Sequence, residues 1–180
     1  MVKKILVIGL CLGFCLSLPV IIFIFGFQTT YQEVITKNLN NIENRNQFLS
    51  RSLVYSIIKA ESNFDKNAKS SKDAFGLMQL TYSTAKEMAE KNDFEIGLDD
   101  LYNPDINIFL GIKYLEYLFS IFNDKNYVII AYNAGPNRLK SWLENEEVVN
   151  ETNTPFEETN IYLKKVLQYE KIYKLKLGEK

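Results

Sequence analysis

One glutamate stands where a helix would bury an aliphatic side chain. In VYSIIKAESNFD, residues 54–65, Glu61 follows Ile57 by four positions and Val54 by seven, which places all three on one stripe of an α-helix. A carboxyl facing apolar groups has its charged form disfavoured and keeps its proton toward neutral pH. Such a group donates to a leaving oxygen, and glycosidic bond cleavage is the chemistry that asks for it. The plain alternative is a helix that has frayed by this point, leaving Glu61 in water. A standard glycosidase needs a second acid, and Asp65, Asp73 and Glu158 are the ones to weigh.

The remaining composition narrows the chemistry. There is no histidine, which removes His-based triads, HExxH sites and most zinc chemistry together. Cys11 and Cys15 both lie in the apolar N-terminal segment, so the rest of the chain has neither a disulfide nor a thiol nucleophile. Catalysis falls to carboxylates, hydroxyls, amides and backbone groups, with no cofactor or metal required. The net charge is -1 and the 21 basic residues are scattered. Nucleic acid, which calls for a basic patch or stripe, is not an expected partner.

The 180 residues suffice for one ordinary domain and an appendage. Residues 5–27, ILVIGLCLGFCLSLPVIIFIFGF, are uncharged and mostly apolar. At about 1.5 Å per residue they can cross a hydrocarbon core of about 30 Å. Lys3 and Lys4 precede this run, so a transmembrane signal anchor would leave residues 1–4 in the cytoplasm and the body outside. A cleaved signal peptide is the competing reading, although FGFQTTYQ is a poor cleavage site. Either reading exports the domain. Residues 28–47 are polar and rich in Asn, a stalk, linker or weak first helix.

Helical signals become dense from residue 48. Phe48, Leu49, Leu53, Val54, Ile57 and Ile58 mark one buried face. Thr81 is a plausible N-cap for a helix with Ala85, Met88 and Ala89 inward. Asn103 and Pro104 open the next, whose Ile106, Leu110, Tyr114, Tyr117 and Ile121 recur at helical spacing. A shorter helix stops at Gly135–Pro136 and restarts. The last carries Ile161, Val166, Tyr169, Ile172 and Tyr173. The expected fold of residues 48–180 is mostly α, with at most a minor hairpin near 71–80.

Four stretches in order, AESNFDKNAKSSKDAFGLMQLT, LYNPDINIFLGIKYL, AYNAGPNRLKSWL and PFEETNIYL, resemble the soluble lytic transglycosylase (SLT) family of goose-lysozyme-like enzymes over roughly residues 50–175. The resemblance implies a lysozyme-like domain with a long cleft for a glycan strand, and Glu61 as the only catalytic carboxyl. The implied reaction cleaves the β-1,4 bond between N-acetylmuramic acid and N-acetylglucosamine. Glu61 protonates the glycosidic oxygen, then takes the proton of the muramoyl 6-hydroxyl, which attacks its own anomeric carbon and leaves a 1,6-anhydro end. By the same resemblance Ser62 shapes the turn after the acid, Ser70 contacts the sugar or the acid, and Gly76, Leu77, Met78 and Gln79 form the GLMQ segment of the substrate-binding wall, with Gln79 a polar contact to the glycan. Tyr132 and Asn133 match the AYN pair, whose tyrosine orients the acid, and Glu158 and Tyr162 match the ETxxY stretch on the cleft wall. The chain departs from the family pattern at Asp73, where glycine is frequent, at Thr81 after GLMQ, and at Asn160, where arginine is usual.

The implied setting is the bacterial inner membrane, with the catalytic domain on the periplasmic side and peptidoglycan glycan strands as partner. A further cell-envelope assembly partner is left unnamed by the sequence. Two other readings stay open: a muramidase on the same fold, which would need Asp65 or Asp73 to reach the cleft, and a non-catalytic wall-binding module.

Overall fold

The computed structural model describes residues 29–145 and 153–179. The expected anchor at 5–27, with Cys11 and Cys15, lies outside the described residues. Among the described residues no helix is long and apolar enough to cross a membrane. The chain divides into two units, 1–30 and 31–180, and the site lies wholly in the second.

The second unit is built from seven α-helices and a hairpin, among the described residues. They are α1 (Gln32–Asn40), α2 (Arg51–Glu61), β1 (Ala74–Phe75), β2 (Leu80–Thr81), α3 (Tyr82–Glu90), α4 (Pro104–Phe122), α5 (Lys125–Ala134), α6 (Pro136–Glu144) and α7 (Glu157–Leu177), with a 3-10 turn at Asp99–Tyr102 before α4. Residues 32–40 of the segment expected as stalk, linker or weak helix form α1, because Ile35 and Leu39 recur four apart and both are buried.

The boundaries follow local chemistry. The Ser50 hydroxyl accepts from Leu53 N at the start of α2, and Thr81 accepts from Thr84 N at the start of α3. Asn103 accepts from Asp105 N, with Pro104 at the first helical position of α4. Gly135, at φ +91°, ends α5, and Pro136 begins α6. The hairpin pairs Ala74 with Thr81 and Phe75 with Leu80.

The core is the helix α2 laid along α7. Leu53, Val54, Tyr55, Ile57 and Ile58 of α2 are fully buried, as are Val166 and Tyr173 of α7. The Tyr55 and Tyr173 rings stack with centroids 5.0 Å apart. Several expected core positions lie elsewhere. Phe48 is exposed, with Lys125 over its ring, and Ile161 is 56% exposed on the outer side of α7. In α4, Ile106, Tyr117 and Ile121 are only half-buried. Their stripe is one edge of a wider buried surface that includes Asn107, Ile108, Ile112, Leu115 and Leu118.

Asn107 ties α4 to the hairpin. Its amide donates to Phe75 O at 3.0 Å and Leu101 O at 2.9 Å, and its oxygen accepts from Met78 N at 2.8 Å. Both amide protons and the oxygen are engaged with backbone groups in the buried junction. Gly76 is required at this junction. It has φ +74°, and a Cβ there would collide with Leu101 O and come within 2.5 Å of Asn107 Nδ2.

Candidate active site

Glu61 is the last residue of α2. The helix delivers it to an open groove of about 350 Å³, lined also by Ser70, Ser71, Lys72, Ala74, Gln79, Thr81, Tyr132, Asn133 and Glu158. The frayed-end alternative fails, because the residue is half-buried and hydrogen bonded. The Tyr162 hydroxyl, from α7, donates to Glu61 Oε1 at 2.6 Å. Burial pushes the carboxyl up to about 7, against the lowering effects of the Tyr162 hydrogen bond and of the Lys165 charge. Lys165 Nζ donates to Ala60 O at 2.9 Å, so α7 holds the end of α2 at two points.

Both tyrosines stand at the groove end of Glu61, but the carboxyl's hydrogen bond comes from Tyr162 and not from Tyr132. Tyr132, on α5, donates to Met78 O at 2.8 Å rather than to the acid. It is buried against Tyr114, with ring centroids 5.3 Å apart. The hydroxyl that holds the carboxyl is that of Tyr162. Both hydroxyls are held well above their ordinary range, by burial first and by the neighbouring Glu61 charge second. They remain donors at any working pH.

The loop between α2 and the hairpin fixes the opposite wall. Ser62 Oγ donates to Leu77 O at 2.8 Å and to Ile58 O at 3.2 Å, which latches the end of α2 to the GLMQ segment. Ser62 thus shapes the turn and does not line the groove. Ser70 Oγ accepts from Lys72 N at 3.2 Å and Ala74 N at 3.1 Å, holding the turn that exposes the loop to the groove. Asp73 takes φ +52°, so it occupies the left-handed conformation that glycine usually fills.

Of GLMQ, only Gln79 reaches the groove. Leu77 and Met78 were expected to contact glycan, but both side chains are fully buried. Met78 fills the space above Gly111, where a Cβ would strike its sulfur. Gly76 is likewise a packing glycine. Gln79 takes φ +48°, and its amide donates to Ala68 O at 3.1 Å and Gly76 O at 2.9 Å. Its backbone strain is held by those two bonds.

At the other wall Lys72 pairs with Glu158 at 3.0 Å, both side chains more than 70% exposed. Asn133 accepts from Thr159 Oγ1 at 2.9 Å. Asn160 is buried, and accepts from Thr154 N at 2.7 Å while donating to Thr154 O at 3.1 Å. The residue at the arginine position therefore anchors the loop before α7. Asp65 accepts from Asn67 N, and Asp73 pairs with Lys69 at 3.1 Å; neither lines the groove. Among the described residues, no group of acids, cysteines or histidines could hold a metal ion.

Sequence reading missed Lys72, Ser71 and Ala74 on the wall, Asn107 and Thr159 behind it, and Lys165. Asn107 carried the same signal as Glu61, a polar residue inside an apolar helix. Lys165 lies one turn beyond Tyr162, on the side of α7 that faces α2.

Comparison with known proteins agrees with this geometry. Residues 38–154 match the family described as Transglycosylase SLT domain. A soluble lytic murein transglycosylase of Salmonella typhimurium is 33% identical over 163 residues, 86% of this chain and 24% of that protein. The 70 kDa soluble lytic transglycosylase of Escherichia coli is similar in structure, with a TM-score of 0.76 at 30% identity over 86% of this chain and 25% of that one. An inactive mutant of the lytic transglycosylase Slt from Pseudomonas aeruginosa gives a TM-score of 0.75 at 34% identity, over 84% and 25%. The chain thus spans about a quarter of the length of the relatives it matches.

Proposed function

The chain belongs to the transglycosylase SLT domain family, and from that premise we propose that it is a peptidoglycan lytic transglycosylase with Glu61 as its acid and base. The observation that carries the reading is Glu61 itself, a carboxyl with a proton affinity raised to about 7, oriented by Tyr162 and open to a groove.

At neutral pH a large fraction of Glu61 is protonated. It gives that proton to the oxygen linking N-acetylmuramic acid to N-acetylglucosamine as the anomeric C–O bond breaks. Glu61, now a carboxylate, takes the proton of the muramoyl 6-hydroxyl while that oxygen bonds to the anomeric carbon. The 1,6-anhydro end forms and Glu61 regains its starting state. The attacking hydroxyl belongs to the substrate and is already in place, so no second acid is needed to activate water. Gln79, Ser70, Asn133 and Glu158 are the proposed polar contacts to the glycan, and Tyr162 the residue that aims the acid.

The muramidase alternative loses its two named candidates, because Asp65 and Asp73 stand outside the groove. Glu158 lines the groove and is engaged by Lys72. Mass spectrometry of the products from purified sacculi decides the matter: the proposal requires anhydro-muropeptides, and products one water heavier would assign hydrolysis. Binding to sacculi with no products at all would leave a wall-binding module.

Residues 5–27 are proposed as the anchor of a single-pass protein in the inner membrane, with the body on the periplasmic side. The support is the length of the uncharged run and the lysines before it. Alkaline carbonate extraction of membranes tests it: the anchored chain stays with the membrane, and a cleaved one is released.

A further inference from the structure

Helix α7 presents Glu158, Tyr162 and Lys165 four and three positions apart, hence along one face. Each reaches a different part of the site. Glu158 pairs with Lys72 at 3.0 Å, Tyr162 donates to Glu61 Oε1 at 2.6 Å, and Lys165 Nζ donates to Ala60 O at 2.9 Å. Ala60 directly precedes Glu61, and its carbonyl belongs to the last turn of α2, where carbonyls have no partner within the helix. A cation at that end also meets the negative pole of the helix.

We infer that Lys165 is a positioning residue for Glu61: it fixes the final turn of the helix that carries the acid and holds a positive charge beside the carboxyl whenever that carboxyl is ionised. The catalytic half of this inference rests on the proposed function; the electrostatic half does not.

The charge matters because of what surrounds the carboxyl. Tyr162 and Tyr132 face it from α7 and α5 and are neutral donors in the working range. Lys72 and Glu158 share its groove but answer each other. Lys59, on α2 itself, donates to Asn63 Oδ1 at 2.6 Å. Lys165 is the cation whose field opposes the effect of burial on Glu61. As the proton passes to the leaving oxygen, Glu61 becomes an anion in an apolar setting, and Lys165 stabilises it there. The same charge makes the carboxylate a weaker base for the second step. Lys165 does not line the groove, so it acts on the acid and not on the substrate.

A bare helix cap would show the same hydrogen bond, so the test separates bond from charge. Lys165→Gln retains a donor for Ala60 O without the charge, Lys165→Met removes both, and Lys165→Arg retains both. The full chain in detergent, labelled with carbon-13 at the glutamate carboxyls, is titrated, with Glu61→Gln identifying the resonance. The inference expects the Glu61 midpoint to move up by about half a pH unit in both the Gln and Met variants, with Arg near wild type. The alkaline limb of kcat/KM on sacculi should move with it. A Gln variant that titrates like wild type while Met shifts would reduce Lys165 to a cap, and no shift in either would remove it from the site. A chain that turns over no sacculi would overturn the proposed function, while the titration would still decide the role of Lys165.

Discussion

At the start of α2, Glu179 accepts from Arg51 Nε at 2.9 Å and from Ser52 N at 3.0 Å. At the end of the same helix, Glu61 accepts from the Tyr162 hydroxyl. Burial pushes both carboxyls upward. At Glu179 the hydrogen bonds from Ser52 and Arg51 outweigh it and hold the group below the usual carboxylate range. At Glu61 burial wins and the group reaches about 7. The difference is in the partners each carboxyl meets. Glu179 has a guanidinium together with the Ser52 side chain and backbone N–H of the first turn. Glu61, in the last turn where no backbone N–H is free, has one neutral hydroxyl and the Lys165 charge. A carboxylate at the start is a clamp, and one at the end is a proton store.

The largest expected effect breaks the store. Glu61→Gln leaves Tyr162 an acceptor but removes the proton, so release of anhydro-muropeptides from sacculi should fall by about a thousandfold or more. Stability should move the other way. The folded-state value of about 7 lies above the ordinary 4.5, so the native state holds more protons than the unfolded chain between those values. Wild-type stability therefore declines as pH rises through that window, and at pH 8 the variant should be more stable by about 1–2 kcal/mol in urea unfolding. Equal stabilities at pH 8 and pH 4.5 would contradict the account.

Tyr162→Phe removes the donor that the carboxyl has in the structure. Turnover should fall by about 10–100-fold, and the midpoint of Glu61 should rise, since the lost bond favoured the anion. An unchanged pH profile would return the orienting role to another group.

Glu179→Gln tests the clamp. It should cost about 1–2 kcal/mol at pH 7, read by urea unfolding, and leave the titration of Glu61 in place. Because the folded-state value of Glu179 is lowered, its contribution is present above the ordinary carboxylate range and disappears as pH falls through the folded value. The variant and wild type should therefore converge in acid.

The smallest effect belongs to the groove wall. Lys72 and Glu158 are both mostly exposed, so Lys72→Ala should change stability by less than about 0.5 kcal/mol in a thermal melt. A larger loss would make the pair part of the wall's support.

The store was legible in the sequence and the clamp was not. Glu61 breaks an apolar stripe, a local signal, and the caps at Thr81, Asn103 and Gly135 with the hairpin near 71–80 are also local. Partner choice is not local. Tyr132 and Tyr162 are equally plausible tyrosines in the sequence, and only the packing of α7 against α2 gives the carboxyl to Tyr162. The GLMQ segment is continuous in sequence, yet it alternates in space: Met78 turns into the core over Gly111 while Gln79, in a left-handed conformation, turns to the groove. Glu179 lies 128 residues from Arg51, and no spacing rule connects them.

The most direct test of the central claim is a single carbon-13 titration of wild-type glutamate carboxyls, resolving Glu61 and Glu179 together. The account predicts a midpoint near 7 for Glu61 and one below the usual carboxylate range for Glu179. Two groups titrating side by side near 4.5 would contradict it, since the two ends of α2 would then treat a carboxyl alike.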